Sequence, residues 1–173
     1  MDLSHVKSWV DDLSSLLYRD VAANEAVRVW HLSISDFFVS DGCPYGYQIN
    51  LQDANVQLGI SCLRTMIRQL RFNICKLEDS RLANAEIYDL HSRIKENISD
   101  PLQYSSRYWS DHLCSAPDNG NQDVSGRLKE FFEGLYPLFW IEVLSVMGIV
   151  PIGAPTLRRV MSWIKVSGAP ASR

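Results

Sequence analysis

A chain of 173 residues with 46% hydrophobic and 21% charged side chains is long enough for one domain, or for a small domain plus part of another, and is too apolar for wholesale disorder. Its net charge of −3 leaves no basic excess to neutralise phosphates, so no nucleic-acid partner is expected. The four cysteines, Cys43, Cys62, Cys75 and Cys114, lack the close pairing of zinc sites, and the N-terminus lacks a signal-peptide pattern. Reduced, structural thiols and a cytoplasmic location are therefore expected.

In chain order, Leu3, Val6, Val10, Leu13, Leu16 and Leu17 recur at spacings of three and four, which predicts an amphipathic helix over 3–17. Residues 17–19 read as the start of a strand and 22–25 as a turn. Val27 and Val29, alternating with Arg28, read as a second, half-buried strand running to Trp30. After His31, Ser33 followed three residues later by Asp36 carries the signature of a helix N-cap ahead of Phe37 and Phe38. A lone hairpin is marginal in water, so this segment needs covering from elsewhere. The run Asp-Gly-Cys-Pro-Tyr-Gly at 41–46 is a break, and the expected domain boundary lies there, between 1–43 and 44–173.

A long helix is predicted over 51–72. Its apolar face combines Leu51, Ala54, Leu58, Cys62, Met66 and Leu70 with Leu63 and Ile67, and Arg64, Arg68 and Arg71 lie opposite. An irregular connector over 73–84 precedes a helix marked by Ile87, Leu90, Ile94 and Ile98. Asp100 and Pro101 open another, carrying Leu102, Tyr104, Tyr108, Trp109, His112 and Leu113. Residues 115–126 read as a solvated loop. Helices follow through Leu128, Phe131 and Phe132, then from Pro137 to a Gly148 C-cap, then from Pro155 through Leu157, Val160, Met161 and Ile164. The tail from Ser167 reads as frayed. The fold class is mainly α: helix, β-hairpin, helix, then an irregular bundle of about six helices.

Candidate chemistry is sparse. The apolar run over 135–153 is interrupted by Pro137, Glu142, Gly148 and Pro151, so it fits a buried helix better than a membrane span. No Gly-x-Ser-x-Gly elbow, paired-carboxylate pattern, phosphate-cradling glycine loop or metal-ligand spacing occurs. Neither catalytic nor metal residues are expected. A hydrolase built on His31 or His112 is the most distant alternative, since His112 shares a helix face with Tyr108 and Trp109 and reads as a hydrogen-bonded boundary histidine. His31, at the strand–helix junction, reads from spacing alone as a satisfied structural side chain more readily than as a functional one.

The junction has a family likeness. Val29-Trp30-His31-Leu32-Ser33-Ile34-Ser35-Asp36-Phe37-Phe38 resembles the winged-helix portion of NACHT-type signalling NTPases of the STAND class, closest to the large fungal NLR-like receptors. The family pattern there is His-x-Ser-[Phe/Ile]-x-[Glu/Asp]-Phe-[Leu/Phe]. Residues 10–20 resemble the helix before that hairpin, and 62–66, 70–80, 104–113 and 140–145 resemble the helical region after it, in the same order. Leu32 and Ile34 depart from the frequent Pro and Phe of the family.

The resemblance implies that 1–43 is the C-terminal part of a winged-helix domain and 44–173 a helical domain, without the NTPase core. It implies that His31 contacts the β-phosphate of ADP in an intact parent, with ADP/ATP and magnesium as the parent's ligands and none held by this chain. An imidazole donor and a phosphate form a charge-assisted hydrogen bond, and its loss would bias a closed/open equilibrium. The implied role is a non-catalytic segment bracing or relaying that switch. Its implied partners are the missing core or other protein segments, with self-association through uncovered apolar surface. The alternative is a free-standing helical interaction adaptor or remnant.

Overall fold

Short alternating runs pair into a hairpin near the start of the chain, and the later elements are helical. The computed structural model describes residues 8, 10–20, 26–79, 81–115 and 122–167, in two compact units, 1–51 and 52–173. The expected turn at 22–25 and the tail beyond Ser167 lie outside the described residues, as does most of the first half of the expected opening helix.

In the first unit, β1 (Leu17–Asp20) pairs antiparallel with β2 (Ala26–Val29), Leu17 opposite Val29 and Arg19 opposite Val27. The opening helix does not reach Leu17. Residues 10–12 are helical and 13–16 form a turn, with Leu16 N and Leu17 N donating to Leu13 O. The ladder explains the early stop: Leu16 O accepts from Trp30 N at 3.0 Å, and a carbonyl used across the hairpin is lost to the helix. Ser14 and Ser15 favour the turn. Trp30 braces this end, its ring 4.3 Å from that of Tyr18 and its Nε1 donating to Ser14 O at 3.0 Å.

Helix α1 (Leu32–Val39) follows directly. Its N-cap is His31, not Ser33, because His31 keeps the extended backbone of the strand (φ −139°, ψ 135°) while Ser33 is already helical, and a cap must lie outside the helix. The chain beyond the glycine–proline break then folds back on this unit. Ile49 N donates to Phe38 O at 2.7 Å and Gln48 Nε2 to Ser40 O at 3.1 Å. Those bonds hold 43–50 to the hairpin–helix unit, so the compact unit extends to Leu51.

The second unit contains most of α2 (Leu51–Gln69), with α3 (Leu90–Asn97), α4 (Asp100–Cys114), α5 (Gln122–Glu133), α6 (Tyr136–Val146) and α7 (Gly153–Ser167). On α2 the buried face runs through Gly59, Ile60, Cys62, Leu63 and Met66, so the predicted apolar stripe is buried in its second half, whereas Leu51 and Leu58 are 56% and 43% exposed. Gly59 lies on this face and lets α4 come close: a Cβ there would overlap the Leu113 side chain, so the contact needs the missing side chain. Arg64, Arg68 and Arg71 are exposed, as the spacing predicts. The helix stops at Gln69, short of Phe72, and Asn73 takes a left-handed φ of 49°, a conformation Asn tolerates.

Local signals set the other helices. Ser99 Oγ accepts from Leu102 N and Pro101 lies in the first turn of α4. Helix α5 begins at Gln122, inside the stretch expected to be loop, because Val124 is buried and draws that turn onto the core. Pro137 lies in the first turn of α6. That helix ends with Gly148 at φ +70°, Gly148 N donating to Ser145 O and Ile149 N to Leu144 O, each at 2.9 Å. This is the paired closure in which a left-handed residue satisfies the last carbonyls.

The core of this unit joins Ile60, Leu63 and Met66 to Leu102, Trp109 and Leu113, and these to Phe131, Trp140, Val143 and Val160. Buried Ser105, Ser106 and Ser110 on α4 leave room for a close neighbour, and Trp140 Nε1 donates to Ser106 O at 2.9 Å. Arg159 of α7 pairs with Asp111 of α4. Among the described residues, no helix is long and apolar enough to cross a membrane; the 135–153 run forms α6 and the turns beyond it.

Candidate functional site

His31 stands where β2 hands over to α1. Its Nδ1 lies 3.3 Å from Ser33 N and 2.9 Å from Ser33 Oγ. A backbone N–H can only donate, so Nδ1 is the acceptor and the neutral ring carries its proton on Nε2. The capping bond thus fixes the tautomer and leaves Nε2–H of this exposed residue as a donor at the start of α1. No acidic residue occupies that first turn. An imidazole N–H at a helix start that carries no acidic side chain can donate to an anion. The same geometry also gives His31 a structural task, which is the plainer role that its spacing suggested.

His112 has a different environment. Its Nδ1 lies 2.9 Å from Asn55 Oδ1 on α2 and its Nε2 2.7 Å from the Tyr104 hydroxyl, about two turns back on α4. The Asn oxygen only accepts, so Nδ1 carries the proton and Nε2 accepts from Tyr104. Both ring nitrogens are used, and the ring ties α2 to α4. Burial lowers the His112 pKa, opposed by the Asp111 carboxylate, and burial also raises that of Tyr104.

The sign of the pH effect follows. The folded ring takes up a proton less readily than the unfolded ring, so as pH falls below about 6.5 the unfolded state is protonated first and stability is lost. At pH 7.5 the contribution is intact. The urea midpoint is expected to fall between pH 7.5 and pH 5, and to fall less in His112→Gln; equal drops in both proteins would remove His112 as the cause.

The cysteines have the environment of inert thiols. Cys43, Cys62 and Cys75 are buried and all four are free. Burial raises the pKa of Cys62, Cys75 and Cys114, which disfavours the nucleophilic thiolate. Among the described residues, no group of three or more His, Cys, Asp or Glu side chains is placed to hold a metal ion. His91 lies exposed on α3, away from the bonds that His112 makes.

One residue that sequence reasoning passed over has a defined task. Glu142, noted there only as a charge interrupting an apolar run, accepts from Asn73 N at 3.1 Å and from Ile74 N at 3.0 Å. It holds the loop after α2 against α6. The signal was the carboxylate itself: a charged side chain among apolar ones on a core helix needs donors, but its position does not say which.

Comparison of the chain with protein-family models, with curated proteins and with solved structures gives no match.

Proposed function

We propose that this chain is a non-catalytic regulatory and interaction segment of a NACHT-type signalling NTPase, working in the cytoplasm and bracing or relaying the parent's ADP/ATP switch. The observation that carries this reading is the state of the first unit. Among its described apolar residues only Val10 and Cys43 are buried, while Trp30, Leu32, Phe37, Val39 and Ile49 are exposed, Leu32 at 76%. A hairpin and one short helix cannot bury enough apolar surface alone, and an uncovered set of this kind marks a contact with other protein. In the proposed setting the missing core covers it, and His31 offers Nε2–H to the nucleotide phosphate.

The experiment compares the chain alone with the parent receptor. Alone, the chain is expected not to bind ADP tightly in a calorimetric titration; low-micromolar binding would refute the need for the core. In the parent, His31→Asn is expected to raise the open, oligomerising population, read by size-exclusion chromatography. Asparagine is among the best N-caps, so this variant keeps the helix start while removing the Nε2 donor. If His31→Asn retains ADP and stays closed, His31 serves only as a cap. A second reading, a free-standing helical adaptor, draws support from residues 52–173, which assemble a buried core of their own. An in-frame phosphate-binding loop encoded upstream favours the first reading, and its absence the second.

A further inference from the structure

We propose that the second unit carries a docking groove for a basic, apolar-anchored peptide segment of another protein, formed by the loop after α2 and one side of α6. Two pockets adjoin there and share Leu77, Glu78 and Leu82. The larger, about 490 Å³, lies against Phe72, Ile141 and Val146; the smaller, about 230 Å³, runs toward Ile87 and Tyr88. The larger pocket alone falls within the size range of ligand-binding clefts, and the pair makes an elongated site suited to consecutive side chains of an extended or helical segment.

The groove is preformed. Glu142 holds the Asn73 and Ile74 amides. The Asn73 side chain accepts from Leu77 N at 2.7 Å and donates to Leu77 O at 2.9 Å. Asn84 Nδ2 donates to Ser145 O at 2.6 Å, and Arg93 Nη1 to Lys76 O at 2.6 Å. A loop stapled at these points loses little further freedom when a ligand seats on it.

Charge selects the occupant. Five carboxylates line the two pockets, Glu78, Asp79, Glu86, Asp89 and Glu142, against the single cation Arg93. Asp79 is paired by Arg81 at 2.8 Å and Asp89 by Arg93 at 2.9 Å. Among the described residues, Glu78, Glu86 and Glu142 face no ion-pair partner. Glu86 and Glu142 accept only from backbone amides, and Glu78 is exposed. The lining therefore carries uncompensated negative charge over an apolar floor.

Phe72 on the larger pocket is 78% exposed and Tyr88 on the smaller is fully exposed. Aromatic side chains in such positions take apolar anchors and stack on lysine or arginine. Nucleic acid, anionic lipid and acidic peptides are repelled by the same carboxylates. A simple small cation would leave the apolar length of the groove empty.

The test uses the full chain and a short fluorescein-labelled peptide of lysine, leucine and phenylalanine, with a counterpart carrying glutamate for lysine. Fluorescence anisotropy is expected to show saturable binding of the lysine peptide that weakens with added salt, and none of the glutamate peptide. Phe72→Ser and Glu78→Lys, both at exposed positions, should leave the far-ultraviolet circular dichroism unchanged and weaken binding by roughly tenfold and fivefold respectively. Failure to bind, equal binding of the glutamate peptide, or affinity unmoved by Phe72→Ser overturns the proposal. So does self-association of the chain dispersed by Phe72→Ser, which would assign the groove to a second copy. The result is independent of ADP binding or His31, so the switch reading can fail while this one stands.

Discussion

Trp140→Ala is expected to destabilise the helical unit by about 3–5 kcal/mol, a large share of the stability of a domain this size. Trp140 is fully buried, packs edge-on against Trp109 with centroids 5.9 Å apart, and donates its indole N–H to Ser106 O. Trp109 in turn meets Phe131 at 5.5 Å, and Phe131 meets Tyr136 at 6.3 Å. The rings thus connect α4, α5 and α6, and alanine removes the member that also carries the cross-helix hydrogen bond. Trp140→Phe keeps a ring in the site and removes the N–H, so a smaller loss of about 1–2 kcal/mol is expected. Urea denaturation followed by circular dichroism measures both. A Trp140→Ala midpoint within error of the parent's would mean that the site closes without a cavity, contrary to the packing described.

Glu142→Ala is expected to cost roughly 2–4 kcal/mol, because two part-buried backbone amides lose their only acceptor together. Glu142→Gln retains one carbonyl oxygen and should cost about half as much on the same reasoning. Stability alone would not separate this from a general packing defect, so hydrogen exchange at Asn73 and Ile74 is the sharper measurement. Protection at those two amides should collapse in the alanine variant while that of Leu63 and Met66, inside α2, falls only with global stability. Unchanged protection at Asn73 and Ile74 would show that the carboxylate does not hold the loop. Because Glu142 also underlies the groove, the alanine variant is expected to weaken capture of the basic peptide as well.

The two units differ in how much of their structure was legible beforehand. The hairpin was readable from the Val27–Arg28–Val29 alternation, yet its effect on the preceding helix was not. Leu13, Leu16 and Leu17 have helical spacing, and only the pairing of Leu16 O with Trp30 N shows that the ladder claims this stretch. His31 stood out at the junction, but the expected cap was Ser33. A cap is defined by backbone conformation, and the strand carried its extended φ and ψ one residue further than the side-chain signature implied. For α2, the predicted stripe is buried at Cys62, Leu63, Met66 and Leu70 but exposed at Leu51 and Leu58; Gly59, with no side chain to register in an apolar pattern, lies inward against Leu113.

What the sequence by itself determined is the set of local decisions. These are a mainly helical chain with one hairpin, helix starts at Asp100–Pro101 and near Pro137, the Gly148 closure, and an exposed arginine face on α2. Each rests on interactions within a turn or two of the backbone, and so is written in neighbouring residues. Only the tertiary structure decided which partners meet across the chain: Glu142 with the amides of Asn73 and Ile74, His112 with Asn55, Trp140 with Ser106, and the acidic groove that the first of these pairings supports. A carboxylate or an imidazole announces that it needs a hydrogen-bond partner. Which donor or acceptor meets it depends on how distant segments pack, and that is settled by the whole core at once.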